Sequence, residues 1–228
     1  HWNTNSEGSK EVNKHTDVYN VLDVKNSRGV WLKSYRPVPF VQHHTRAGIL
    51  WNSINYRVNN SESYGSGTYS GCKLLFKDFQ ELAEWCQDQY GYMNKNSNNT
   101  FWPIDKDLLV PGSNLYSPDT CMFVPQKVNS CFTLRQNHRG AFPIGVIFHK
   151  RDKIYEATCN DGSGKGIYLG RTHDPIEAHM LWIKKKIEIM QSFLEDSDIS
   201  QHEKLIFAIN NKIEMYQTCI QTNTEVKF

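Results

Sequence analysis

An α+β fold in two successive parts is predicted for this chain, on three observations. Residues 101–136 read in the order strand, loop, strand, helix. Residues 143–194 read as three short strands followed by one long helix. Amphipathic helices flank these units, two before the first and one after the second. The expected division is a polar N-terminal segment over 1–16, a first domain over 17–136, a second over 137–196, and a C-terminal helix and tail over 197–228.

The chain has 228 residues, 39% hydrophobic and 22% charged, which suffices for two small cores and excludes a disordered composition. The longest apolar runs are about five residues against the ~20 of a membrane helix, and the opening lacks a signal-peptide pattern. A soluble, cytoplasmic protein without membrane association is expected. A net charge of +2 is no strong basic excess, so any DNA affinity must come from the arrangement of charge. Cys72, Cys86, Cys121, Cys131, Cys159 and Cys219 form no CxxC pair; no zinc site is expected, and buried reduced thiols are.

Taken in order, residues 17–36 alternate apolar and polar positions about a turn at 26–29 and predict a hairpin or two short strands. A helix should start near Thr45, with Ile49, Leu50, Ile54 and Val58 recurring every three to four residues. Residues 59–71 form a turn-rich loop. A second helix follows at about 78–90, capped by Asp78, with Phe79, Leu82, Trp85 and Cys86 as its buried stripe. Residues 101–104 then read as a strand, 107–119 as a turn-rich loop containing Asn114, Tyr116 and Ser117, 120–124 as a return strand, and 125 onward as a helix opened by proline. Residues 137–140 look like a linker. Strands at 143–149, 153–159 and 166–170 lead into a helix from Pro175 carrying Ile176, Met180, Ile183, Ile187, Met190 and Leu194. Lys184 to Lys186 are expected on its wet face. A last helix spans roughly 200–217.

The strand, loop, strand, helix order suits a ββα-metal arrangement. There a carboxylate ending the first strand and a side chain from the helix hold one divalent cation that stabilises the leaving oxygen of a phosphodiester. Asp105 ends the first strand and Asn129 sits on the helix, and such oxygen donors suit Mg²⁺ or Mn²⁺.

The stretch IDKDLLVPGSNLYSPDTCMFVPQKVN, preceded by ILWNSINYR, TYSGC and FKDFQELAEWC, resembles the HNH-like proteins of tailed bacteriophages, a family that includes homing endonucleases. The likeness covers about 35–195. It implies a ββα nuclease core with Asp105 as metal carboxylate, Asn129 as helix-borne ligand and Asp107 beside them. Lys106 stands where the family carries its histidine base. A lysine with an ordinary pKa near 10.4 is a poor base at neutral pH. His43 and His44 are the expected replacement, with Arg46 or Arg57 clamping the scissile phosphate.

Residues 139–194 resemble an AP2 domain, through Gly145 and Val146, Tyr155 and Ala157, Leu169 and Gly170, and Glu177 and Ala178. The resemblance implies a three-stranded sheet laid in the major groove with a helix behind it. Strand alternation then puts His149, Lys153, Tyr155 and Tyr168 on the groove face, with Lys150, Arg151, Lys165 and Arg171 near phosphates. Few arginines stand on that face, so readout should be loose. The expected function is a metal-dependent endonuclease, homing or nicking, directed to double-stranded DNA as a monomer or homodimer. The alternatives are a non-cleaving DNA-binding protein with a degenerate nuclease fold, and a modulator of a host protein.

Overall fold

A computed structural model describes residues 23–38, 41–60, 69–133 and 141–226 of the chain. The expected polar segment, the strand before residue 23, most of the 59–71 loop and the 137–140 linker lie outside the described residues.

The α+β class holds. Asn26 turns the chain where expected: its Oδ1 accepts from the N–H groups of Arg28 and Val30, and Lys25 bridges Trp31 antiparallel. An antiparallel pair follows, β1 (Ser34–Val38) and β2 (Val41–His44). Helix α1 (Arg46–Asn59) starts where Thr45 accepts a capping bond from Gly48 N–H at 3.1 Å. Gly48 must be glycine, because a Cβ there would lie 2.1 Å from the Lys33 carbonyl oxygen. Strand β3 (Lys73–Leu74) precedes α2 (Phe79–Gln87), which Asp78 caps through Glu81 N–H.

The strand, strand, helix order is then realised by β4 (Ile104–Asp105), β6 (Met122–Phe123) and α3 (Gln126–Phe132), with β4 and β6 antiparallel. The expected loop between them is more ordered than its turn chemistry suggests. It contains β5 (Leu115–Tyr116), which pairs in parallel with β3, and Tyr116 is buried. A turn of reciprocal Ser117 and Thr120 hydroxyl contacts carries the chain from β5 to β6.

Strands β7 (Val146–His149), β8 (Ile154–Asn160) and β9 (Gly166–Thr172) make an antiparallel sheet in that order, and α4 (Pro175–Leu194) packs on one face of it. Asp174 caps α4 through Ile176 N–H, ahead of Pro175 at the first turn. Helix α5 (Glu203–Thr222) lies along α4.

Two main clusters fill the interior. One gathers Ile54, Leu82, Tyr92, Trp102 and Phe123 beneath α1 and α2. The larger joins Met122, Val124 and Val128 to Trp182, Met190 and Leu205. Side chains from both sides of the expected boundary at residue 137 therefore share one core. Each such side chain contributes about 1.5–3 kcal/mol by leaving water. Lys186 corrects the expectation of a wet lysine face: it is buried and bonds Cys131 and Asn160, because α4 turns that side toward the ends of α3 and β8. The cysteines are free thiols, buried except for the half-buried Cys219. Among the described residues no helix is long and apolar enough to cross a membrane.

Candidate functional site

Asp105 closes β4 as expected, but its carboxylate is committed to the backbone. Its Oδ1 accepts from Asp107 N–H at 2.9 Å and Leu108 N–H at 2.7 Å, stapling the turn that leaves the strand. Burial raises the Asp105 pKa, opposed by those two N–H groups. Lys106, 6% exposed, turns inward and donates to Asp107 and, at 3.1 Å, to the Ser113 carbonyl. Its ammonium holds the 107–113 loop closed, a structural task unlike that of a base. From α5, the buried Lys212 approaches the same place. Desolvation lowers its pKa, and the Asp105 and Asp107 carboxylates oppose that shift.

Asp105 already has partners of its own. Two ammonium groups already supply positive charge beside Asp105, and one carboxylate oxygen already serves two N–H donors. Among the described residues no three His, Cys, Asp or Glu side chains gather as a candidate metal group. Asn129 is half-buried on α3, and its backbone carbonyl accepts from Thr133; no hydrogen bond joins its carboxamide to Asp105.

The expected base and clamp make contacts of their own. His43 and His44 lie on β2, opposite Tyr35 and Ser34, and the His43 ring stacks on Tyr35 at 5.8 Å. Among the described residues neither histidine bonds Asp105, Asp107 or Asn129. The Arg46 guanidinium is enclosed by rings, 4.0 Å from Phe101 and 4.6 Å from Tyr92, and donates to the Trp102 carbonyl at 3.1 Å. Desolvation brings its pKa down to about 10. It ties α1 to the chain entering β4. Arg57 lies 5.3 Å from the Tyr69 ring and 3.5 Å from the Tyr116 hydroxyl.

The three-stranded sheet has the reverse character, with one face covered by α4 and the other open. Ala157 and Cys159 are buried on the α4 side, whereas Ile147 is 48% and Tyr168 61% exposed. Tyr155 is not on the open face where it was expected. It lies abreast of Phe148, shares the Ala157 side of β8, and packs 4.8 Å from Phe148 and 5.1 Å from Phe142. On β9 a β-bulge breaks the alternation. Ala157 pairs with Gly170 but Thr158 pairs with Tyr168, so Leu169 is the extra residue. The bulge lets Tyr168 and Arg171 both reach the open face, although three positions apart. A Cβ on Gly170 would meet Leu181 of α4 at 3.4 Å, which places that residue on the covered side.

On the open face Arg171 donates to Glu156, and His149 Nε2 lies 3.1 Å from the same carboxylate. Arg171 is the main cause of Glu156's lowered pKa. The β7–β8 turn carries Lys150, Arg151 and Lys153. All three are exposed, Lys153 is left-handed at φ 51°, and Arg151 is paired to Asp152. Lys165 is exposed in the β8–β9 turn at the sheet's other end. Lys150, Lys153 and Lys165 have no ion-pair partner among the described residues. Glu156 is not legible from the sequence as part of this face, because nothing in its neighbourhood along the chain shows which cation it meets.

No protein-family model, no curated protein and no solved structure matches this chain. The functional reading therefore rests on its own residues.

Proposed function

We propose that this chain is a double-stranded-DNA-binding protein that contacts the duplex through the open face and turns of the β7–β8–β9 sheet. The β4–β6–α3 unit serves as its scaffold. The observation that carries the reading is an uncovered sheet face bearing Tyr168, Arg171 and His149, with exposed Lys150, Lys153 and Lys165 at its two ends. A twisted ribbon of this kind suits the major groove, and cations at its ends suit the two flanking backbones. Asp105, Lys106 and Arg46 are each engaged in holding the fold, which favours binding without cleavage. The strand, strand, helix order of an AP2-linked HNH-like nuclease supports a second reading, a phage-type Mg²⁺- or Mn²⁺-dependent endonuclease.

The test combines a gel shift on short duplexes with incubation of supercoiled plasmid in Mg²⁺, Mn²⁺ or EDTA. Duplex binding that weakens with salt, with a log–log slope near −3 from about three phosphate contacts, supports the proposal. Lys150→Glu with Lys153→Glu should flatten that slope. Nicking or linearisation that requires metal and is lost in Asp105→Ala would replace the proposal with the endonuclease. Absence of both binding and cutting would leave the protein-directed alternative.

A further inference from the structure

Ile147, Glu156 and Arg171 lie abreast across the three strands, on the face α4 leaves open. Arg171 Nε and Nη2 both donate to one oxygen of Glu156, at 2.9 and 2.7 Å. A guanidinium has five N–H donors; Glu156 takes the Nε edge, so the terminal fork of Nη1 and Nη2 stays open. An exposed arginine would otherwise sample many rotamers, whereas this one is held in plane by a side chain from the neighbouring strand.

We infer that Glu156 is a positioning residue that aims the Arg171 fork at a guanine edge in the major groove, making this pair the sequence-discriminating element of the sheet. The inference rests on the DNA-binding reading above. Two in-plane acceptors, O6 and N7 of guanine, match a terminal guanidinium fork. A phosphate offers similar acceptors, but the cations placed for the backbone are in the turns, whereas Arg171 stands on the strand face beside Glu156, on the strand that carries the exposed Tyr168. A carboxylate amid a DNA-facing sheet also repels every phosphate equally, so it lowers affinity for all sequences. Its useful effect is discrimination.

The experiment selects duplexes from a randomised library with the wild-type chain. Affinities are then titrated on the preferred duplex and on its guanine-to-adenine and 7-deazaguanine forms. The wild type should lose about tenfold at one guanine position with either change. Arg171→Lys and Glu156→Gln should each reduce that preference to under about threefold. Glu156→Gln should meanwhile bind the adenine duplex no more weakly than wild type, since a negative charge has gone. Glu156→Asp, which keeps the charge but shortens the reach, separates geometry from charge and should also lose the preference; thermal melts confirm that each variant is folded. An undiminished guanine preference in Glu156→Gln and Glu156→Asp overturns the inference. So does an Arg171→Lys variant that weakens all duplexes equally, as a phosphate contact would. Failure of the wild type to bind any duplex removes the DNA-binding reading itself, while binding without a guanine preference removes this inference alone.

Discussion

The Lys186 ammonium of α4 donates to the Cys131 carbonyl at 2.7 Å, inside the core. It also donates to the Asn160 carbonyl at 2.8 Å, so one side chain satisfies the end of α3 and the end of β8 together. Lys186→Met keeps the packing length but takes the donor from the Cys131 carbonyl, which is buried, and from the partly buried Asn160 carbonyl, at about 1–3 kcal/mol for the buried one and less for the other, partly offset by relief of a buried charge. A loss of about 1–3 kcal/mol in urea unfolding is expected. A loss under about 0.5 kcal/mol would show that the carbonyls find other donors.

His202 makes stability depend on pH. Its Nε2 bonds the Phe123 carbonyl at 2.8 Å, and its Nδ1 accepts from Leu205 N–H at the start of α5, an arrangement that requires the neutral ring. Burial lowers its pKa below the ordinary 6.5. The stability it contributes is therefore complete above that unfolded value and is lost as pH falls through the lower folded one. Urea midpoints measured from pH 7.5 down to 5 should fall in the wild type. In His202→Gln they should start lower by about 1–2 kcal/mol and fall less steeply. Parallel curves for the two proteins would assign the pH dependence to other groups.

Much of this fold was legible because its signals are local. Thr45 and Asp78 cap the helices they were expected to open, α4 starts at Pro175 as expected, and the turn at Asn26 formed where alternation broke. What local pattern could not show was non-local. The β3–β5 pairing joins residues some forty positions apart, through strands too short to show a period. The bulge at Leu169 shifts alternation along β9 by one, and Tyr155 follows Ala157 to the covered side of β8, in an aromatic cluster and not on the expected groove face. The inward turn of Lys106, Arg46 and Lys186 depended on which carbonyls and rings the folded chain brought to them. His43 stacks on Tyr35 and, among the described residues, makes no hydrogen bond to Asp105, a pairing that sequence order alone could not show.

Asp105 should behave as a turn acceptor. Asp105→Ala removes the oxygen that serves Asp107 and Leu108 N–H and should cost about 1–2 kcal/mol in thermal or urea unfolding. Asp105→Asn keeps an acceptor at that place and should cost less than about 1 kcal/mol, with duplex affinity unchanged in both variants. A carboxamide as damaging as alanine would mean that the negative charge, facing Lys106 and Lys212, matters more than the turn bonds.

Tyr155 and Tyr168 offer the sharpest separation of fold from function, because these two tyrosines of neighbouring strands stand on opposite faces. Tyr155 packs with Phe142 and Phe148, so Tyr155→Ala removes a ring from a three-ring cluster and should cost about 2–4 kcal/mol of stability. Tyr168 is 61% exposed, so Tyr168→Ala should change stability by less than about 0.5 kcal/mol. Its effect should appear in duplex affinity, weakened about three- to tenfold by loss of an apolar contact on the DNA-facing side. Chemical denaturation and fluorescence anisotropy on the same two variants give the comparison. If Tyr168→Ala binds DNA like wild type while a folded, conservative Tyr155→Phe binds more weakly, the contact face is not the one opposite α4, and the DNA-binding surface has to be sought elsewhere on the chain.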